Sequence, residues 1–576
     1  MLTTIIKTII KLKPKNHQEF AKIKRKVCGE FKMASISNSD LFEIYQKLLK
    51  EKKISKQIWL ENLLKKHPIR TLSGVAVIAV LTKPYPCPGK CLYCPTEKEI
   101  PKSYLSNEPA VMRAVLCKFD PFKQVETRIK SLEATGHLVD KIELIIMGGT
   151  WSYFPKQYQT WFIKRCFEAL NQNTNNNQQL TINNHSDAFR RSSRNMKLVG
   201  TPTYRRRQKT IKILQKMNEK SKCRCVALTL ETRPDFINLK EIKRMRALGC
   251  TKVELGVQTL DDSILQLNER GHKVEQIIRA TKLLKNAGFK VCYHIMPNLF
   301  GSTLNKDLKM FKELFSNPDF QPDLLKIYPC VVTKNSQLYQ LWKQKKWKPY
   351  STQQLINLLV KIKSIIPRYV RIIRVIRDIP SNSIVAGSKV SNLREIVQKE
   401  MERQNLKCKC IRCRQVKEMQ NVKCKMQNLG IFKEKYEASE GVEYFLSFED
   451  LKRESLYAFL RLRIPSFQSI INNHSDTSVG TPTYRRRQLI ILKDCAIIRE
   501  VHTYGQMVAI GEKDKKAIQH FGFGKKLIAE AEKIVQNLGI KKIAVISGIG
   551  VREYYRKLGY RLRDEYMVKS ITTHNA

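Results

Sequence analysis

The stretch Tyr85-Pro86-Cys87-Pro88-Gly89-Lys90-Cys91-Leu92-Tyr93-Cys94-Pro95 places three cysteines at C-x3-C-x2-C spacing. It follows Val75-Ala76-Val77-Ile78-Ala79-Val80-Leu81, an apolar run of the length and branching of a buried strand. A tight loop at a strand end can aim three thiolates at one centre. Thiolates are the ligands that iron–sulfur clusters require, and three of them on a four-iron cluster leave one iron open. Two plainer readings stand beside this one: a zinc knuckle short of its fourth ligand, and three unrelated core thiols.

Outward from this loop, between about residues 71 and 397, apolar strand-like runs alternate with amphipathic helical ones. Strands are expected at 75–81, 141–147, 226–229, 252–255, 291–296 and 325–328, and helices at 120–134, 158–169, 239–248, 274–287 and 306–315. Such alternation predicts an α/β fold with a mostly parallel sheet and helices outside it. About six units predict a partial barrel rather than a closed one of eight strands. Ligands then gather at the C-terminal strand ends. Gly148-Gly149-Thr150, Glu231-Thr232-Arg233-Pro234-Asp235 and Gly256-Val257-Gln258 follow the second, third and fourth strands. Polar and glycine-rich turns at successive strand ends form a strong site signal.

The chain has 576 residues, long enough for two or three domains. Its 106 Lys and Arg outnumber 51 Asp and Glu, a formal charge of +55. A polyanion, best a phosphate backbone, is the natural partner for such an excess, although a generally basic proteome would also produce one. Sixteen cysteines without a secretory signal predict reduced thiols and metal, hence a cytoplasmic protein. The apolar N-terminus is short and broken by Lys7, and no run reaches membrane-spanning length. Residues 1–70 read as a basic helical arm, with helical spacing in Leu41, Phe42, Ile44, Tyr45, Leu48 and Leu49.

In a cysteine-rich linker, 398–440, Cys408, Cys410 and Cys413 form a second thiol group. It is a candidate structural zinc site, for which Cys330 is the proposed fourth ligand with Cys424 behind it; a metal-free thiol cluster is the alternative. From residue 441 the pattern changes again. A strand at 496–503 precedes Gln519-His520-Phe521-Gly522-Phe523-Gly524-Lys525-Lys526, which opens a helix at 527–538. Q-x-x-G-x-G at a helix start offers free N–H groups to a pyrophosphate. A strand at 542–546 and Tyr554-Tyr555-Arg556-Lys557-Leu558-Gly559-Tyr560 follow. Ile182–Asp187 and Val199–Gln208 recur as Ile471–Asp476 and Val479–Gln488, joined by linking stretches of different length, and these Asn-rich and Arg-rich segments read as inserted exposed loops.

The first cysteine motif resembles that of the radical S-adenosylmethionine enzymes, in which the open iron binds and cleaves that cofactor. The C-terminal order, 441–576, resembles the GNAT acyl-coenzyme A transferases. From about residue 70 to 570 the chain resembles the Elongator catalytic subunit family. The match is carried by the three cysteines, Val139-Asp140-Lys141, Met147-Gly148-Gly149-Thr150 and Gly288-Phe289-Lys290-Val291-Cys292-Tyr293-His294. It continues through Leu325-Lys326-Ile327-Tyr328-Pro329-Cys330, Arg377-Asp378-Ile379-Pro380-Ser381, Cys410-Ile411-Arg412-Cys413 and Tyr566-Met567-Val568-Lys569. Pro297-Asn298-Leu299-Phe300-Gly301 departs from the family's Pro-Gly-Leu-Pro-Gly turn, and Cys94-Pro95-Thr96 lacks the glycines that often follow.

The resemblance implies a tRNA carboxymethyluridine synthase working on the wobble uridine of an anticodon loop. A radical made at a [4Fe-4S] cluster on Cys87, Cys91 and Cys94 takes hydrogen from the methyl group of acetyl-coenzyme A. The carbon radical adds to C5 of uridine, and thioester hydrolysis leaves a carboxymethyl group. By the same resemblance Lys141 contacts acetyl-coenzyme A from the radical domain and is a catalytic candidate with Tyr555 and Tyr554; Gly148 and Gly149, at a strand end, let backbone amides approach a bound cofactor closely. Glu500, Val501, His502, Thr503, Gly522, Phe523, Gly524 and Lys525 hold acetyl-coenzyme A. Tyr555 stands near the thioester, with Tyr554 and Tyr566 beside it. A homodimer or Elongator-type partner subunits fit the family. A protein lysine acetyltransferase with a structural iron–sulfur domain is the main rival reading, and a noncatalytic tRNA-binding module a third.

Overall fold

The computed structural model describes residues 2–31, 36–65, 74–172, 204–416, 428–466, 492–505 and 521–572. Seven parallel strands, in chain order, build its larger sheet: β1 Ala76–Leu81, β2 Lys141–Met147, β3 Arg224–Thr232, β4 Lys252–Gln258, β5 Lys290–Ile295, β6 Leu324–Ile327 and β7 Arg371–Arg374. Helices such as Pro121–Ala134, Leu239–Ala247 and Val274–Asn286 cover the outside, so the sheet is a partial barrel. β7 is the strand that sequence patterning missed; Arg-Ile-Ile-Arg is too short and too charged to show a period. Along β2, Ile142, Leu144 and Ile146 pack under the helices, while Lys141, Glu143, Ile145 and Met147 face the barrel interior. Period two thus sorts apolar from charged side chains.

The second sheet runs in the order β13-β14-β12-β11-β10-β9-β8. Its strands are β8 Leu429–Glu437, β9 Gly441–Asp450, β10 Leu456–Pro465, β11 Cys495–Thr503, β12 Lys542–Val545, β13 Arg561–Arg563 and β14 Tyr566–Ser570. Neighbours are antiparallel except β11 and β12, which are parallel. The sheet begins at Leu429, inside the stretch read as linker. The cysteine segment fastens the sheets together: Ile411 N donates to Val370 O at 2.9 Å and Val416 N to Leu456 O at 3.1 Å.

Near the N-terminus the helices Leu2–Leu12, His17–Glu30, Asn38–Lys50 and Ile58–Leu64 enclose their own apolar core of Ile5, Phe20, Leu41, Tyr45 and Leu60, a bundle rather than an arm. Of the repeated segments, 182–203 and 471–488 lie outside the described residues. Tyr204, expected in a loop, opens a helix that runs to Asn218. No helix among the described residues is long and apolar enough to cross a membrane.

The second sheet docks on the N-terminal ends of the barrel strands through buried charge. Arg499 Nη1 donates to Asp323 Oδ1 at 2.9 Å and to Glu443 Oε2 at 2.9 Å, and its Nη2 to Phe289 O at 2.6 Å. Arg463 donates to Asn286 Oδ1 at 2.9 Å, and Arg461 to Tyr369 O at 2.7 Å and Glu500 Oε2 at 3.0 Å. Burial works against the Asp323 carboxylate, but Arg499, Lys285 and Arg461 outweigh it and hold its pKa far below the ordinary value. For Glu500, burial is likewise overcome, by Lys290, Arg461 and His502, leaving a pKa of about 2. The backbones also approach closely: a methyl group on Gly548 would lie 2.0 Å from Val226 O.

Three outcomes follow from this interface. Asp323→Ala strands Arg499 in the interior and should lower stability by about 3–5 kcal/mol, read as a drop in thermal unfolding midpoint. Because these carboxylates titrate lower when folded, their contribution is complete above about pH 4.3 and is lost as pH falls toward 2. The wild-type midpoint should therefore fall steeply across that window. Gly548→Ala should cost about 1–3 kcal/mol through overpacking. Gly29→Ala, with nothing within 4 Å of the new methyl, should be neutral or stabilise the helix by about 1 kcal/mol.

Candidate functional site

One cavity of about 1660 Å³ passes through the barrel from the C-terminal to the N-terminal ends of its strands. Cys87, Cys91 and Cys94 line the first mouth. Arg270 Nη1 donates to Cys91 Sγ at 3.4 Å, its Nη2 donates to Gly256 O at 2.6 Å, and Thr150 Oγ1 lies 3.7 Å from Cys87 Sγ. Burial pushes the Cys91 thiol up, but Arg270, which donates to it, and Arg233 bring its pKa below the ordinary value. Burial, reinforced by Cys91, pushes Cys94 up to about 11. Arg233 Nη1 and Arg270 Nε are buried without a hydrogen-bond partner. Unused cationic donors beside three thiols suit an anionic iron–sulfur cluster, and the thiols at an open mouth leave room for a further ligand on it.

Paired charges line the middle of the cavity. Lys252 Nζ is 2.5 Å from Glu143 Oε1 and 3.6 Å from Glu254 Oε1. Lys326 pairs with Glu254 and lies 3.4 Å from Glu231 Oε1, and Tyr104 Oη donates to Glu231 Oε2 at 3.0 Å. His294 Nε2 is 2.9 Å from Glu254 Oε2. Sequence reasoning missed this layer. Its signal is charge at alternate positions of otherwise apolar strands, as in Lys141/Glu143, Lys252/Glu254 and Lys326/Tyr328, since buried parallel strands tolerate such residues only where they face a polar interior.

At the second mouth the wall is shared between domains. Lys141 and Lys290 from the barrel meet Glu500, Val501, His502, Thr503, Gly522, Gly524, Lys525, Tyr554 and Tyr555. Lys290 Nζ lies 3.5 Å from Glu500 Oε1. Gly522 takes a φ of +72°, the left-handed conformation that glycine adopts freely, and a methyl there would meet nothing within 4 Å. It turns the chain into the helix Phe523–Asn537, whose first N–H groups border the cavity. Burial lowers the pKa of Lys141 and raises that of Tyr554 to about 12; burial and then Tyr554 raise that of Tyr555.

Several expected site residues lie elsewhere. Phe523 packs in the core of the second sheet, 4.6 Å between ring centroids from Phe448. Tyr566 belongs to the domain interface, where its Oη donates to Ala287 O at 2.8 Å and Arg246 covers its ring at 5.0 Å. Gly148 packs against Thr82, a methyl there falling 2.0 Å from Thr82 Oγ1, while Gly149 lines the cavity. The sulfurs of Cys408, Cys410 and Cys413 lie within 4.8 Å of one another. Cys330 does not join them: it is buried among Ile264, Leu299, Val332, Leu338 and Trp347, where burial raises its thiol pKa. Cys424, Gln519 and His520 lie outside the described residues.

Residues 188–314 match the Radical SAM superfamily and residues 322–403 the Radical_SAM C-terminal domain. The chain is 44% identical over 93% of its length to a tRNA uridine(34) acetyltransferase of Methanocaldococcus infernus, covering 91% of that protein. It is 36% identical over 88% of its length to human Elongator complex protein 3, covering 86% of it. The solved structure of the archaeal M. infernus Elp3 lacking residues 1–46 superposes with a TM-score of 0.67, at 40% identity over 86% of this chain and 99% of that one. With its seven-stranded partial barrel and mixed second sheet, this chain belongs to the radical SAM family of tRNA uridine(34) acetyltransferases and Elongator complex protein 3.

Proposed function

We propose that this chain forms 5-carboxymethyluridine at the wobble position of tRNA from acetyl-coenzyme A. The observation that carries this reading is the single cavity, with Cys87, Cys91 and Cys94 at one end and Gly522, Gly524, Tyr554 and Tyr555 at the other. Simple acyl transfer to an amine gives no reason for an acyl site that opens into a barrel ringed by thiols, so protein lysine acetylation is disfavoured. The second sheet serves on this reading as a GNAT-type acyl-coenzyme A domain.

Cys87, Cys91 and Cys94 would hold a [4Fe-4S] cluster, which with S-adenosylmethionine supplies a carbon-centred radical. Arg270 and Arg233 offset the charge gathered there. The polar first turn of the helix Phe523–Asn537, with Lys525, suits the pyrophosphate of coenzyme A. Lys141 and Lys290 add positive charge at the same mouth. Tyr554 and Tyr555, both kept protonated by burial, line the mouth and on this reading donate hydrogen bonds to the acyl arm as it enters. The net charge of +55 suits a polynucleotide substrate. Cys408, Cys410 and Cys413 could hold a structural zinc ion only with a fourth ligand other than Cys330.

Anaerobic reconstitution with iron and sulfide, followed by S-adenosylmethionine, reductant, acetyl-coenzyme A and unmodified tRNA, tests the reading. Nucleoside mass analysis should show carboxymethyluridine from wild type and none from Cys91→Ala. Formation of 5′-deoxyadenosine without that product, across all tRNAs tried, would reject it. A second outcome concerns the acyl site. A methyl on Gly524 would already lie 3.2 Å from Tyr554 Oη, so Gly524→Val should raise the KM for acetyl-coenzyme A at least about tenfold, a loss of about 1.4 kcal/mol in binding, with S-adenosylmethionine affinity unchanged.

A further inference from the structure

We propose that His294 and Glu254 form a general-base dyad inside the barrel that activates the water cleaving the thioester after carbon–carbon bond formation. The inference deepens the function proposed above and rests on it. That function demands a hydrolysis, and neither the thiols at one mouth nor the tyrosines at the other supply a base for it; at the second mouth Glu500 is committed to Arg461 and Lys290, and the His502 ring packs against Phe459 and Tyr504. His294 lies near the end of β5 and lines the cavity between the two. Four residues separate it from Lys290 at the second mouth, about 13 Å along a strand.

The geometry is that of an oriented imidazole. Nε2 lies 2.9 Å from Glu254 Oε2, and the Tyr328 ring stands edge-on to the imidazole at a centroid distance of 5.4 Å, fixing its plane. Burial opposes ionisation of Glu254, but Lys326, the His294 hydrogen bond and Lys252 outweigh it and hold its pKa well below the usual range. An ionised carboxylate can only accept, so Nε2 carries a proton toward Glu254, and in the neutral imidazole Nδ1 holds the lone pair that can take another. Lys326 also occupies the carboxylate side where a cation would sit. Cys292, the other neighbour, is held protonated by burial and then by Glu254. Both features disfavour a metal ion at Glu254, Cys292 and His294, although their ligand atoms cluster within 4.8 Å. Behind the two groups that touch the ring stand further charges: Lys326 and Lys252 beside Glu254, and Lys326, Arg374 and Glu231 beside Tyr328.

In the step, the water oxygen bonds to the thioester carbonyl carbon as one water proton passes to Nδ1. The carbon–sulfur bond then breaks, the coenzyme A sulfur leaves with the electron pair, and the proton on His294 is returned to it. Water and thioester become acid and thiol, and the new carboxyl group releases its proton to solvent. No electron is gained or lost.

The test is His294→Gln in the reconstituted full-length enzyme with tRNA. Carboxymethyluridine should fall about a hundredfold while 5′-deoxyadenosine formation stays within about twofold of wild type. A uridine still linked through C5 to the coenzyme A thioester should accumulate, visible by mass on gently digested tRNA. Raising pH should restore hydrolysis of that adduct in proportion to hydroxide in the variant but not in wild type. Glu254→Gln, which keeps the shape and loosens the tautomer, should show the same adduct at an intermediate level and covers the case in which His294→Gln does not fold. Normal product from His294→Gln, or loss of product without the thioester adduct in a variant with full iron content, would overturn the dyad. Absence of product from wild type would instead remove the function on which it rests.

Discussion

Arg499 lies wholly inside the protein, its guanidinium shared between Asp323 of the barrel and Glu443 of the second sheet. A buried cation needs partners, and here Nη1 and Nη2 meet two carboxylates and the Phe289 carbonyl, while Nε has none. Arg461 and Arg463 repeat the pattern across the junction on Tyr369 O and Asn286 Oδ1. Carbonyls at strand ends have fixed directions, so these bonds set orientation as well as contact. Apolar packing alone would let the sheets slide; charge of this kind fixes one register. The lower opening of the barrel is therefore capped in one way, and the cavity continues across the junction.

That continuity requires a polar interior, which must itself be neutralised. Glu143, Glu254 and Glu231 alternate with Lys252 and Lys326 across neighbouring strands, so each of these five side chains has an oppositely charged neighbour. Such a lining can accept a polar ligand by exchanging one partner for another, at less cost than exposing an unpaired ion. It also gives one imidazole a fixed carboxylate, a combination that is inert on a protein surface and chemically useful in a closed space.

The half-barrel was legible because its strands are apolar runs of four to nine residues separated by amphipathic helices. The cysteine loop was legible because thiolate spacing is a local property. β7 was not, since four residues with charged ends carry no period. Phe523 shows the limit of a motif: Q-x-x-G-x-G marks the helix start correctly, but which side chain of the turn faces the ligand depends on the sheet below it. Tyr566 and Cys330 fail for a related reason. Both lie in stretches that match the family, yet a match says nothing about which way a side chain turns. The inner charged layer could have been found by counting charges at alternate strand positions.

The two mouths lie at opposite ends of strands of six or seven residues, about 20 Å apart. On the function proposed here, thiols at one end must act on an acyl group held at the other. A small acetyl donor bound beside the tyrosines would be out of reach of the cysteines. A donor on a long, thin carrier avoids the problem, because its bulky end can stay at the helix Phe523–Asn537 while the acyl end threads the barrel. On the same reading the base moiety of a polynucleotide enters at the mouth lined by Arg233, Arg270 and Arg377. On the function and dyad proposed above, the two substrates arrive from opposite ends and meet beside His294, where the carbon–carbon bond and the later hydrolysis share one space. The fold thus separates the binding problems and unites the chemistry, which is why neither sheet would serve alone.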